Sequence, residues 1–110
     1  MATPDALTEL PRISWPRGFV ARRSGVIGGS VAPAAWYEFG TENGGAVDAA
    51  RRALAALADA AGSGALSDLA PAADGKSAVG QMRGPRLSAV VAASAEGNGA
   101  VVRVTLEPLR

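Results

Sequence analysis

The sequence predicts a small α+β domain, with one helix packed on a small, mainly antiparallel sheet in the order β-β-α-loop-β-β. Three observations predict it: an alanine-rich amphipathic segment at 46–61, an Asn-Gly turn inside 87–106, and a Gly-Gly pair inside 18–41. A chain of 110 residues is long enough for one hydrophobic core, so we expect a single folded domain at 18–110, preceded by an arm at 1–17.

The first 17 residues contain three prolines and no hydrophobic periodicity, which predicts an extended arm. Basic and aromatic residues alternate from this arm into the next segment. Such residues bind protein partners well, since Trp and Arg are enriched at hot spots, and they also stack on nucleic-acid bases or stay solvated. The net charge of +1 makes nucleic acid the weaker of these interpretations. The candidate partner-binding residues are Arg12, Trp15, Arg17, Phe19, Arg22 and Arg23.

Residues 18–41 are predicted to form two strands joined at Gly28-Gly29, a pair suited to a tight hairpin. Alternation along the second strand places Tyr37 and Phe39 on one face, with Trp36 and Glu38 on the other.

The segment 46–61 is predicted to be a helix, because alanine dominates it and its apolar residues recur at steps of three and four. Asp48 lies in the first turn, where the helix dipole favours an anion, and Gly62 is suited to end the helix. A stripe so rich in alanine is flat, which favours close packing on a sheet. The predicted stripe is Val47, Ala50, Leu54, Leu57, Ala58 and Ala61.

Residues 63–85 are predicted to be one short helical turn through Leu66 and Leu69, followed by a long loop. The loop prediction rests on five Pro and Gly residues between 71 and 85. Long loops in small domains are usually functional or ordered by a partner, so we expect this one to contact a neighbouring subunit.

Residues 86–107 are predicted to form a β-hairpin. With Asn98-Gly99 as a type I′ turn, the apolar residues of both strands fall on one face and the polar residues on the other. A turn at Gly97-Asn98 shifts the pairs but keeps the same faces, so the pattern fixes the faces more firmly than the register.

Composition disfavours catalysis. The chain has no cysteine and no histidine, which removes thiolate chemistry and the commonest general base and metal ligand. Glu38 paired with Glu42, or either with Asp48, is the remaining acid–base arrangement, and its spacing does not force the carboxylates together. We therefore expect no enzymatic activity, no metal and no cofactor. The N-terminus lacks the pattern of a signal peptide and no segment is apolar enough to span a membrane, so we expect an intracellular, soluble protein.

The run Ala35-Trp-Tyr-Glu-Phe-Gly-Thr41 resembles the Y-x-x-x-E-F-G-T signature of small head–tail connector and tail-completion proteins of long-tailed bacteriophages. The resemblance covers about 15 residues, and the long helix and the Pro-Phe segment that flank this strand in the family are missing here. It implies that Glu38, Phe39, Gly40 and Thr41 set a sharp turn between strand and helix, and that the chain is a structural protein of the virion.

Our first hypothesis is therefore a bacteriophage connector or tail-completion subunit, assembled in the host cytoplasm. It would act through protein–protein contacts with copies of itself, in an oligomeric ring, and with other virion proteins. The thin, alanine-rich core and the exposed hairpin edges expected here favour such association. The alternative is a small intracellular binding module for a peptide or an anionic ligand.

Overall fold

The computed structural model describes residues 13–27, 34–42, 44–62, 64–85 and 87–108. It confirms an α+β domain in which one helix packs on an antiparallel sheet. The elements are β1 (Phe19–Ile27), β2 (Ala34–Thr41), α1 (Ala46–Ala61), β3 (Leu66–Pro71), β4 (Ser77–Arg83), β5 (Leu87–Glu96) and β6 (Gly99–Pro108).

The six strands form one sheet in the order β1-β2-β6-β5-β4-β3, and every neighbouring pair is antiparallel. The chain builds it from the hairpin β1–β2 and the meander β3–β4–β5–β6, which join where β6 pairs with β2. The hairpin β1–β2 is confirmed, although its predicted Gly28-Gly29 turn lies outside the described residues. The exposed hairpin edges are β1, in the first predicted hairpin, and β3, whereas both strands of the 87–106 hairpin have neighbours on each side.

The β5–β6 hairpin keeps the predicted faces and takes the second of the two registers considered above, with the turn at Gly97-Asn98. Glu96 pairs with Gly99, so the turn residues are Gly97 and Asn98. Of these two only Gly97 has a positive φ, of 58°, which is the type II′ pattern with glycine first rather than the expected type I′. Val91, Val102 and Val104 share the buried face, as predicted.

Helix α1 has the predicted bounds, between an N-cap at Gly45 and a C-cap at Gly62, whose N–H donates to the carbonyl of Ala58 at 3.1 Å. The helix lies across β3–β6, and Gly80 on β4 leaves room for it: a Cβ there would be 2.5 Å from Cδ1 of Leu54. This close approach confirms the flat alanine face. The most buried stripe is rotated slightly from the predicted one and comprises Ala46, Ala49, Ala50, Ala53, Leu54 and Leu57.

The segment that precedes β1 covers the part of the same sheet face that α1 leaves bare. The Trp15 ring lies 4.6 Å from that of Phe39 and 5.6 Å from that of Tyr37, between centroids. The Phe19 ring also contacts that of Phe39, tilted by 49° with the centroids 5.6 Å apart, and Ile13 packs against the same core. The core is therefore closed partly by the end of the predicted arm, whose residues 1–12 lie outside the described part of the chain.

The prediction of a helical turn and a long loop in 63–85 is wrong, because β3 and β4 form a hairpin there. Its connection is Ala72–Lys76, in which the Gly75 N–H donates to the Ala72 carbonyl at 3.0 Å, the Asp74 carboxylate accepts a hydrogen bond from the Lys76 N–H at 2.9 Å, and Gly75 takes a φ of 71°. The loop prediction counted Gly80 and Gly84 as breakers. Both instead lie under α1, where a side chain would collide with Leu54 or Ala61.

Candidate interaction surface on the open face of the sheet

The sheet has two unlike faces. One carries the core under α1 and the 13–19 segment, and none of the described elements packs on the other, which we call the open face. Burial alternates along β4 and β5 accordingly, since residues pointing to α1 are buried and those between them are half-buried or exposed.

Large exposed apolar side chains concentrate on the open face. Among the described residues four such side chains are about half exposed or more, and the strand register places all four on this face. Val79 is 51% exposed and Val90 48%, and they are diagonal neighbours on β4 and β5, beside Ala92. The other two are Val20 on β1 and Leu66 on β3.

An Arg–Glu cluster, made of Arg22, Arg23, Glu38, Glu96 and Arg103, occupies the other half of the open face. Glu38 is its centre and is only 8% exposed. Arg23 donates to both carboxylate oxygens of Glu38, at 2.9 Å from Nη2 and 3.3 Å from Nε, and Arg103 donates at 3.3 Å. Strands β1 and β6, which flank β2, are thus tied to it on this face by side chains as well as by the backbone.

A β-bulge brings two consecutive arginines to this face. The register between β1 and β2 shifts at Arg22, so that Arg22 and Arg23 both point to the open side. Arg22 lies over Gly40, where a Cβ would be 2.6 Å from its Nε, and its Nη2 reaches Glu96 Oε1 on β5 at 2.8 Å. Glycine at position 40 is therefore what lets this side chain cross β2.

Trp36 lies flat on the same face. Gly25 on β1 leaves the space for its indole, since a Cβ at Gly25 would be 2.7 Å from Nε1. The Arg103 guanidinium lies 5.7 Å from the ring centroid, within range of a cation–π contact. Trp36 and Arg22 therefore lie across the neighbouring strands, over Gly25 and Gly40.

The cluster keeps its carboxylates ionised. The hydrogen bond from Arg23, followed by the charges of Arg23 and Arg103, holds the pKa of Glu38 below its ordinary value, against the opposing effect of burial. Arg22 lowers the pKa of Glu96 in the same way. Glu38 therefore has no proton to donate near neutral pH, and the sheet separates it from Asp48 on α1. The acid–base arrangement of Glu38 with Asp48 is not formed.

A shallow depression of about 430 Å³ lies between the cluster and the valines. Ala92 and Val101 form part of its lining, and Ser77, Ser94 and Arg103 supply polar groups. Within the described residues, no group of three or more Asp, Glu, His or Cys side chains is placed to hold a metal ion.

The predicted partner-binding residues divide between the two faces. Trp15 and Phe19 pack into this chain's own core rather than projecting from it. Arg17 is exposed, and its backbone carbonyl accepts a hydrogen bond from Arg52 of α1. Arg22 and Arg23 belong to the cluster on the open face, and Arg12 lies outside the described residues.

The prediction that Glu38–Thr41 set a sharp turn is wrong. These four residues are the last of β2 and pair in register with 100–103 of β6, and the connection to α1 follows them. Each has a structural role: Glu38 binds the arginines, Phe39 fills the core, and Gly40 accommodates Arg22. The Thr41 hydroxyl accepts a hydrogen bond from the Ala100 N–H at 2.9 Å.

Arg103, Val79 and Val90 are not among the candidate residues predicted from the sequence. The signal for Arg103 was present, since the alternation of the last hairpin put it on the polar face. Val79 and Val90 could be found only once β4 was known to be a strand next to β5.

Comparison of this chain with protein-family models, curated proteins and solved structures finds no match. The helix of the described part is neither long enough nor apolar enough to cross a membrane.

Proposed function

We propose that this protein is a structural assembly subunit that works by protein–protein contacts and associates with copies of itself. The observation that carries the proposal is the gathering of the exposed large apolar side chains on one sheet face, next to a pre-ordered Arg–Glu cluster. Apolar area flanked by charged groups is typical of protein interaction sites on otherwise polar surfaces.

The assembly that we propose is the head–tail connector or tail-completion class of long-tailed bacteriophages. This finer proposal rests on the resemblance of Glu38–Thr41 to that family's signature, and it implies a place in the virion after assembly in the host cytoplasm. A ring requires a head-to-tail contact between unlike surfaces. The two edge strands, β1 and β3, are unlike surfaces with backbone groups available for such a contact.

Light scattering coupled to size-exclusion chromatography, together with native mass spectrometry over a range of concentrations, tests the self-association. We expect a defined oligomer whose population rises with concentration. A monomer at every concentration would contradict the proposal.

The second candidate is a binding module for a peptide or an anionic ligand, and the depression beside Arg103 favours it. Its two serine hydroxyls and the Arg103 guanidinium can bind a carboxylate or phosphate, in competition with Glu38, which also lines the depression and already accepts a hydrogen bond from Arg103. Titration with inorganic phosphate and with an acidic peptide, followed by NMR, tests this function. Saturable shifts at Ser77, Ser94 and Arg103 in a protein that stays monomeric would favour it over assembly.

A further inference from the structure

We propose that two copies of this chain pack with their open faces together, as a face-to-face pair with two-fold symmetry. The inference rests on the proposed self-association and adds a second contact to it: the edge strands β1 and β3 are the surfaces for a ring, whereas the open faces join two copies as a pair. Four properties of the open face support it: its shape, its area, its charge balance and the arrangement of apolar and charged groups across the strands.

The open face suits sheet-on-sheet packing best at its apolar half. Two sheets pack about 10 Å apart when the side chains between them are of small or medium size. The half made by β4 and β5 carries Val79, Val90 and Ala92 with serines beside them, and Gln81 opposite Val90 and Arg83 at the end of β4 are its larger side chains. On the other half, Trp36 lies over Gly25 and Arg22 over Gly40, and the Arg23 and Arg103 side chains are 64% and 57% exposed.

The area is enough for a specific pair. Six strands about 4.8 Å apart and seven residue levels about 3.3 Å apart give about 600 Å² for the face. Two such faces would bury about 1,200 Å² in total, at the lower limit of stable, specific interfaces. A weak to moderate dimer is expected from this area.

The charges favour a second copy over an acidic or basic partner. The strand register places four arginines and four carboxylates on the open face, so the face has no net charge. A two-fold interface brings one patch against itself and therefore needs a patch that complements itself. The eight residues are Arg22, Arg23, Arg83, Arg103, Glu38, Glu96, Glu107 and Asp68.

The strand order decides what each possible two-fold axis brings together. An axis along the strands, between β5 and β6, would place β4 and β5 of each copy over β6 and β2 of its partner, so the valines would lie over the Arg–Glu cluster. An axis across the strands places each strand over its own copy, so Val79 and Val90 meet the partner's valines. Arg22 and Arg23 are paired with Glu96 and Glu38 within each chain, which limits repulsion between the two clusters. The axis across the strands is therefore the expected one.

The N-terminal segment is the competing occupant within the chain. Residues 1–12 lead into Ile13, which packs on the core side of the sheet. To cover the open face they would have to pass around the β1 edge. Deleting residues 1–12 therefore separates the two possibilities. We expect the pair to persist after the deletion. A protein that is monomeric at full length and dimerises only after the deletion would show that the segment covers the open face, and would overturn the proposal.

The main test is the double variant Val79→Glu/Val90→Glu, with Ala55→Glu on the exposed side of α1 as the matched control. Four carboxylates introduced into the paired faces are expected to weaken dimerisation by about 100-fold or more, measured by sedimentation equilibrium. The control is expected to dimerise like the wild type, and circular dichroism melts of both variants should remain close to it, because the substituted side chains are exposed.

A cross-linking test locates the axis. The chain has no cysteine, so Val90→Cys carries a single thiol close to the proposed axis. A short bis-maleimide reagent is expected to link two Val90→Cys chains at dilute concentration, and not two Ala55→Cys chains. An oligomer that survives the glutamate variant, or that links through position 55 instead, would overturn this pairing and leave self-association intact. A wild-type monomer would contradict both proposals.

Discussion

The backbone of Gly99 lies directly against the carbonyl oxygen of Thr41 on the neighbouring strand. A Cβ at position 99 would overlap that oxygen, and the obstacle is backbone rather than a flexible side chain. Position 99 is therefore restricted to glycine by packing between strands, and not by a positive φ.

We predict that Gly99→Ala strongly destabilises the protein, by about 3 kcal/mol or more, because β2 and β6 must separate to admit the methyl group. Urea unfolding followed by circular dichroism measures the effect. Gly45→Ala is the control, since no atom lies within 4 Å of a Cβ there and its φ of −85° suits any residue. The control is expected to cost about 1 kcal/mol or less. Equal losses in the two variants would contradict the close contact with Thr41.

We predict that stability falls in acid because of the Arg–Glu cluster. The folded-state pKa values of Glu38 and Glu96 lie below the ordinary 4.5, so the unfolded chain takes up protons first as the pH drops. Their contribution is complete above about pH 4.5 and disappears as the pH falls through the lowered values. Thermal melts between pH 7 and pH 2.5 should show this decline.

The double variant Glu38→Gln/Glu96→Gln should be less stable than the wild type at pH 7 and should lose less on acidification. Glu107→Gln, an exposed change on the same face, should follow the wild type. If the double variant shows the wild-type pH dependence, the cluster is not the origin of the acid sensitivity.

We predict that Trp15→Ala destabilises the folded domain by about 2 kcal/mol, less than the 3–5 kcal/mol typical of a fully buried Trp, because this side chain is only half-buried against Phe39 and Tyr37. Arg17→Ala, which keeps the backbone carbonyl that Arg52 binds, should change stability by about 0.5 kcal/mol or less. Chemical denaturation measures both. A neutral Trp15→Ala would mean that the segment before β1 does not close the core.

The sequence predicted individual helices and strands well, and the pairing between strands poorly. Helix α1 and the faces of β5 and β6 could be predicted because hydrophobic periodicity and secondary-structure propensity depend on residues that are close together in the chain. The β5–β6 register could not be predicted, and neither could the packing at Gly99, because Thr41 is 58 positions away and lies against it only after β2 and β6 pair. Nothing in the turn sequence Gly97-Asn98-Gly99 distinguishes the two registers.

The candidate site depended even more on tertiary pairing. The glycines at 80 and 84 made the β3–β4 segment resemble a loop, because what requires glycine at these positions is the helix packed above them, which the local sequence does not show. Without β4 next to β5, Val79 and Val90 could not be recognised as neighbours.

Residue order alone determined an amphipathic alanine helix, strand faces that alternate, and a chain without cysteine or histidine chemistry. The tertiary structure decided which glycines admit a crossing side chain, which arginines meet Glu38, and which face of the sheet stays open. The physical reason is that hydrophobic periodicity is a property of residues close together in the chain. Strand register, close packing and ion pairing instead depend on strands that meet only in the folded protein.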